Sequence, residues 1–249
     1  MNHVARTTLD AMAAQGVSGL SIYRRALASA FERHAPVFGR KAYADLYRRS
    51  ARDPEWVALS LATFAAGEGD GAQRLWDMAA STPDVEIAAQ VKQHAIDEAR
   101  HSRGYVTLLG MIFPRLAGEK LLTTMKQLSP GYTAAQPLRA RKGSRDARPA
   151  TLDELIQMNI AEMRTRVQHL FQRPVLLRYA KRAQRLRVRR ILDSLLADET
   201  RHVAYTARLI ERLARESGRD AVMELMHRRV RDFNELTDSE IAGRTLGAE

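Results

Sequence analysis

An all-α fold is the architecture this sequence predicts, and three observations carry it. Only 8 of the 249 residues are Pro and 14 are Gly. The β-branched residues form no alternating runs, and apolar side chains recur at three- and four-residue spacing over long stretches. With 45% hydrophobic and 28% charged residues the chain can bury a substantial core, and one helical domain over residues 1–249 is expected. Cysteine is absent, which excludes disulfides, thiolate metal ligands and a cysteine nucleophile, and fits a reducing cytoplasm. The N-terminal segment has no continuous apolar core of a leader peptide, and nowhere do about 18 apolar residues run together, so a cytoplasmic protein without a membrane span is expected. A formal charge of +11, from 40 Lys and Arg against 29 Asp and Glu, suits acidic partners such as a carrier protein or a reduced electron-transfer protein, or RNA.

The elements follow in order. Residues 21–51 predict one or two surface-packed helices, interrupted near Pro36 and Gly39. Asp53-Pro54 supplies an N-cap and a proline at the first helical position, opening a helix that runs towards Ser81. Ser81-Thr82-Pro83-Asp84 repeats the start signal for a helix that continues to about Phe113, where Pro114 stops it, so the two form a hairpin. The chain then crosses over between about residues 114 and 150. Its part from Pro130 to Pro149 is basic and rich in breakers, the composition of a long connection with freedom to move. Thr151-Leu152-Asp153-Glu154 is a capping box for a third long helix, which Pro174 should end. A fourth closes at Gly218, and a last helix, about Asp220 to Leu236, precedes a frayed tail. Helix pair, long crossover, helix pair is one connectivity of four-helix bundles, with the core here at about residues 54–217.

Two five-residue words sit inside these helices. Asp97-Glu98-Ala99-Arg100-His101 and Asp198-Glu199-Thr200-Arg201-His202 share the pattern D-E-x-R-H. Positions i and i+3 lie on one helix face, so each word aims a carboxylate and an imidazole at the same point. Around the first, Ile87, Val91, His94, Glu98, His101, Tyr105, Leu108 and Ile112 form a stripe that is apolar except at its centre. Around the second, Val188, Leu192, Leu195, Glu199, His202, Thr206, Leu209 and Leu213 do the same. Exposed salt-bridging turns need not fall on two apolar stripes. Burying these groups alone costs several kcal/mol each, and metal coordination compensates.

A dimetal carboxylate site in a helix bundle takes one Glu from each of two helices and a Glu-x-x-His from each of the other two. Glu98 lies about 15 residues, or about 22 Å of rise, past the turn near Pro83, and the same distance back along the preceding helix reaches Glu68. Asp70 and Asp77 match the level less well. Gly67-Glu68-Gly69-Asp70-Gly71 reads locally as a loop, but glycine inside a helix usually has a packing reason, so a helix continuous through it is expected. In the second half, Glu162 is the one carboxylate between Glu154 and Asp193. Its separation of 37 residues from Glu199, against 30 between Glu68 and Glu98, predicts that the fourth helix begins its continuous axis near residues 184–189. Pro174 to Ala183 would then form a separate turn or short helix. Oxygen and nitrogen ligands without sulfur suit iron or manganese.

On these residues the chain resembles the ferritin-like di-iron carboxylate superfamily, whose oxygenase branch carries Glu, DExRH, Glu and DExRH on four helices. The match covers about residues 54–217. The resemblance implies a cofactor of two iron ions, with manganese or a mixed Mn/Fe pair as variants. Glu68, Glu98 and His101 would serve one ion and Glu162, Glu199 and His202 the other, some carboxylates bridging. Asp97 and Asp198 would orient the histidines and pair with Arg100 and Arg201. The implied activity is O2-dependent hydroxylation, N-oxygenation or desaturation of a small-molecule or carrier-bound organic substrate, with an electron donor protein and a homodimeric assembly. A ferritin- or rubrerythrin-like iron-oxidising or peroxide-removing protein is the alternative, and a tRNA-modifying hydroxylase a lesser one. His94, one turn before Glu98, is a candidate seventh ligand or a core histidine. The extra histidine of the related arylamine N-oxygenases falls in the second half, where this chain has Leu195. Tyr105 has the spacing of the radical tyrosine in ribonucleotide reductase small subunits, with ordinary packing the plainer expectation. His169, two turns after Glu162, lines the pocket or packs as a buried histidine. The basic run Lys181 to Arg190 reads as a solvated face or as a dock for an anionic partner.

Overall fold

The computed structural model describes residues 1–246, with side chains through residue 242, and every regular element among them is helical. In chain order these are α1 (His3–Ala14), α2 (Ser21–Arg33), a 3-10 turn (Val37–Gly39), α3 (Lys41–Ser50), α4 (Pro54–Ser81), α5 (Val85–Ile112), α6 (Pro114–Leu128), α7 (Leu152–Tyr179), a second 3-10 turn (Arg182–Gln184), α8 (Arg185–Ser217) and α9 (Arg219–Leu246). No helix among the described residues is long and apolar enough to cross a membrane. The chain divides into two compact units: one comprises Met1–Tyr47, Thr151–Phe171 and the residues from Leu196 onward, the other Arg48–Ala150 and Gln172–Leu195.

The second unit is built on the α4/α5 hairpin. Asp53 and Asp84 cap the two helices through their carboxylates, to the backbone N–H of Glu55 and Ile87. α4 is unbroken through Gly67-Gly71. The packing reason belongs to Gly69 alone, where a Cβ would come within 3.3 Å of the Leu128 carbonyl oxygen and the Ser102 hydroxyl, while Gly67 and Gly71 face open space. Pro114 ends α5 and at once occupies the first turn of α6, because proline has no N–H to leave unsatisfied there.

The connection from Pro130 to Pro149 is strapped along the hairpin. Tyr132 stacks on Trp76 at 4.2 Å between ring centroids, and the indole N–H of Trp76 donates to the Arg139 carbonyl. Lys92 donates to the carbonyls of Ala134 and Gln136. The backbone N–H and the guanidinium of Arg141 both bind the carboxylate of Asp77 at 2.8 Å, and Arg141 also reaches Gln73. Composition alone shows breakers and charge; it does not show that the backbone carbonyls have partners on a neighbouring hairpin.

In the first unit α2 packs on α9, burying Tyr23, Leu27 and Phe31 while Arg24, Arg25 and Arg33 on its other face stay exposed. Its N-cap, Leu20, has no side-chain hydrogen bond to give. The buried carboxylate of Glu211 does that work from α8, accepting from the N–H of Ile22 and of Tyr23 at 2.8 Å each. Asp153 in the first turn of α7 is held by Arg228 and Arg229 of α9, and Arg164 binds Glu240 through both carboxylate oxygens. These pairs and the buried Thr237 keep α9 helical well past Leu236, to Leu246, where the sequence suggests a fraying tail.

Pro174 does not end α7, which continues to Tyr179. A helix-interior proline frees the carbonyl four residues earlier, here that of Leu170. Leu170 is 43% exposed and Pro174 is also exposed, so water can take that carbonyl and the cost falls. The break comes instead at the 3-10 turn Arg182–Gln184, and α8 starts at Arg185, inside the window predicted from the spacing of Glu162 and Glu199.

Burial alone would raise the pKa of Asp77, but the Ser144 hydroxyl, the Arg141 N–H and the Arg141 guanidinium outweigh it and hold the carboxyl below its ordinary value. A depressed folded-state pKa stabilises above the unfolded value near 3.9, and that stability is lost as pH falls through the folded value. Asp77→Asn should therefore cost about 1–3 kcal/mol at neutral pH. In thermal denaturation from pH 7 to pH 3, its deficit against the parent should shrink below about pH 4; a deficit constant across that range would contradict the role assigned to the carboxylate.

Candidate functional site

The register of α5 puts its residues where the periodicity predicts. Ile87, Val91, His94, Glu98, His101, Tyr105 and Leu108 are all buried, and Ile112 is half-buried. The imidazole Nε2 of His94 lies 3.1 Å from Oε1 of Glu98, a hydrogen bond along one helical turn. Nδ1 of His101 lies 3.5 Å from the same oxygen. That is long for a hydrogen bond. It is close to the separation of about 3.0–3.4 Å expected for two atoms bound to one ion at about 2.1 Å. Glu68 sits half-buried on α4. Asp97 accepts from Arg100 at 2.9 Å and from Gln93 at 3.1 Å, so the expected aspartate–arginine pairing is present.

In the other unit the second word has the same internal arrangement. Glu199 and His202 are buried in α8, with Nδ1 of His202 3.8 Å from Oε2 of Glu199. From α7, Oε2 of Glu162 lies 3.6 Å from that same Nδ1. Asp198 pairs with Arg201 at 2.6 Å. His169, also from α7 and only 2% exposed, places Nδ1 3.8 Å from Oε1 of Glu199. Each unit thus gathers buried His and Glu side chains, donors of the kind that could bind metal.

Tyr105 is fully buried, its ring stacked on Phe64 at 5.3 Å and its hydroxyl 3.4 Å from Oε1 of Gln172. This is the setting of a packed tyrosine. The basic run predicted at Lys181 to Arg190 spans the second 3-10 turn and the start of α8, with Lys181, Arg182, Arg185, Arg187, Arg189 and Arg190 exposed.

Sequence reasoning passed over Asn159. It is fully buried, and its amide donates to the Val203 carbonyl at 3.0 Å and to the Thr206 hydroxyl at 2.8 Å. Thr206 in turn donates to the His202 carbonyl at 2.7 Å. The Tyr23 hydroxyl closes the row by donating to Oδ1 of Asn159 at 2.9 Å, and burial pushes that phenol above its usual pKa, so it stays a donor. The row braces the helical turn that carries His202. An asparagine one turn before Glu162–Met163 among Ile156 and Ile160 was the available signal, since a buried amide must find partners.

No family model, no curated protein and no solved structure matches this chain.

Asn159→Leu should lower stability by about 1–3 kcal/mol, because it strands the buried hydroxyl of Tyr23 and removes both amide hydrogen bonds to the α8 turn. Adding Tyr23→Phe should recover part of the loss, since removing both partners of a buried bond costs less than removing one. Urea denaturation of the two variants decides it; a double variant no more stable than the single one would contradict the row.

Proposed function

We propose that this chain is an O2-dependent dimetal oxidoreductase of ferritin-like helical architecture, with α4, α5, α7 and α8 as its four metal-bearing helices. The observation that carries the reading is the gathering of carboxylate and imidazole donors within each unit. His94 and His101 place ring nitrogens 3.1 and 3.5 Å from one oxygen of Glu98. His169 and His202 each place Nδ1 3.8 Å from Glu199, and Glu162 lies 3.6 Å from His202.

The donor set fits the cofactor. Carboxylate and imidazole donors without sulfur suit iron or manganese over softer metals. When bound, two such ions supply the electrons and coordination positions for reductive activation of O2, which no side chain here can do alone. The residues of the chain do the rest. Glu98, Glu199 and Glu162 offset the ionic charge inside an apolar surround. Asp97 and Asp198, tied to Arg100 and Arg201, keep negative charge beside each Glu-x-x-His turn without occupying a ligand position. The Asn159–Thr206 row fixes the backbone under His202. The substrate class proposed is an organic molecule, free or carrier-bound, that is hydroxylated, N-oxygenated or desaturated. The exposed arginines at the start of α8 are proposed to receive an acidic electron-donor or carrier protein.

Metal analysis after anaerobic loading with ferrous iron should find about two ions per chain. Glu98→Ala and His202→Ala should each lose most of that content while keeping the parent circular dichroism spectrum. Full stoichiometry in both folded variants would overturn the ligand assignment. Product analysis after anaerobic reduction and O2 addition tests the reaction class: iron oxidation alone, with no organic product from any candidate, would favour iron handling over oxygenation.

A further inference from the structure

Away from the metal ligands, a cavity of about 270 Å³ is lined by Arg33 and His34 at the end of α2 and by Glu224, His227, Arg228 and Arg231 on α9. Five of its six lining side chains are basic. The two imidazoles meet edge to face at 5.4 Å between centroids. Nε2 of His227 lies 3.1 Å from the Ser29 hydroxyl, while its Nδ1 is shut off from solvent with no hydrogen-bond partner among the described residues. Arg228 is partly neutralised by Asp153 at 3.2 Å. Among the described residues neither Arg33 nor Arg231 makes an ion pair with a carboxylate, and Glu224 is the single acid in the lining.

Such crowding is unfavourable without a counter-charge. The C-terminus of α2 supplies only a partial negative charge, and the nearby Ala35 carbonyl is engaged by Asn234 and Arg40. Burial, with Arg33 and Arg231 adding repulsion, lowers the pKa of both His34 and His227. Both are therefore neutral near pH 7 and each has an N–H to donate. A divalent cation would meet three guanidiniums, so this histidine pair is not a metal site. Guanidiniums in fork geometry, imidazole N–H groups and a serine hydroxyl match the oxygens of a tetrahedral oxyanion.

We propose that this cavity between the end of α2 and α9 binds phosphate, as the free dianion or as the phosphate group of a small monoester. Inorganic phosphate and glycerol phosphate would be titrated into the full-length protein, with the imidazole resonances of His34 and His227 followed by NMR and sodium chloride at matched ionic strength as the reference. Saturable shifts of both resonances with phosphate, absent with chloride, are expected. Arg33→Gln and Arg231→Gln, at exposed positions that leave the core intact, should each weaken binding about tenfold. Tighter binding of the monoester assigns the site to a phosphorylated small molecule, and tighter binding of phosphate assigns it to the free ion. Equal shifts with chloride, or parent affinity in the Arg33→Gln/Arg231→Gln double variant, would overturn the proposal.

Discussion

Two apolar helix stripes, on α5 and on α8, each carry a glutamate and a histidine at their centre, and the cost of burying them constrains everything nearby. Glu199 and His101 are fully buried and Glu98, His94 and His202 nearly so. A carboxylate removed from water at such depth needs positive charge or several donors close by. Imidazole nitrogens stand 3.1–3.8 Å from these carboxylates within each unit. Around them the protein places fixed partners, not adaptable ones: Arg100 on Asp97, Arg201 on Asp198, Asn159 and Thr206 under His202. Gly69 stands inside the unbroken α4 where the Leu128 carbonyl and Ser102 hydroxyl would come within 3.3 Å of a Cβ.

Much of this was legible from periodicity, because a helix that buries one face writes its register into the chain. The 4-3-4-3 stripes of α5 and α8 fall on buried positions, and their half-buried ends, Ile112 and Leu213, lie where the helices approach solvent. Level counting put the start of α8 near residues 184–189, and it falls at Arg185, since helical rise is a fixed length per residue. The misreadings share a cause. Pro174, the breaker-rich strap and the far end of α9 were judged by local propensity, yet each is decided by who receives a backbone or side-chain group: water at Leu170, the α4/α5 hairpin under Arg139 and Arg141, Arg164 beside Glu240. Partners distant in sequence are invisible to a local rule. α1 went unpredicted because twelve residues carry too little periodic signal, although Asn2 caps it through the Val4 N–H.

The strap and the N-terminal helices show how polar groups were distributed to let the helices close. Glu211 could have been an ordinary surface carboxylate of α8; instead it caps α2, whose own N-cap is the apolar Leu20. Asp77 could have lain free on α4; it fastens Arg141 by both backbone and side chain. In both cases one buried acid accepts from two N–H groups, which compensates its own burial outside the Glu-x-x-His clusters.

The two D-E-x-R-H words are alike in themselves and unlike in what flanks them. Glu98 has a second imidazole from its own helix, His94, one turn earlier and hydrogen-bonded at 3.1 Å. At the equivalent place before Glu199 stands Leu195, and the second imidazole there comes from α7, His169, at 3.8 Å. An i,i+4 pair on one helix keeps its distance whatever the neighbouring helices do. A pair across two helices keeps it only while both hold their register. Next to His169 on α7, Gln168 is bound to Tyr43, and Phe171 packs on Tyr43 and Tyr47. The sequence-local histidine is therefore built into one half, and the tertiary one is conditional on packing in the other.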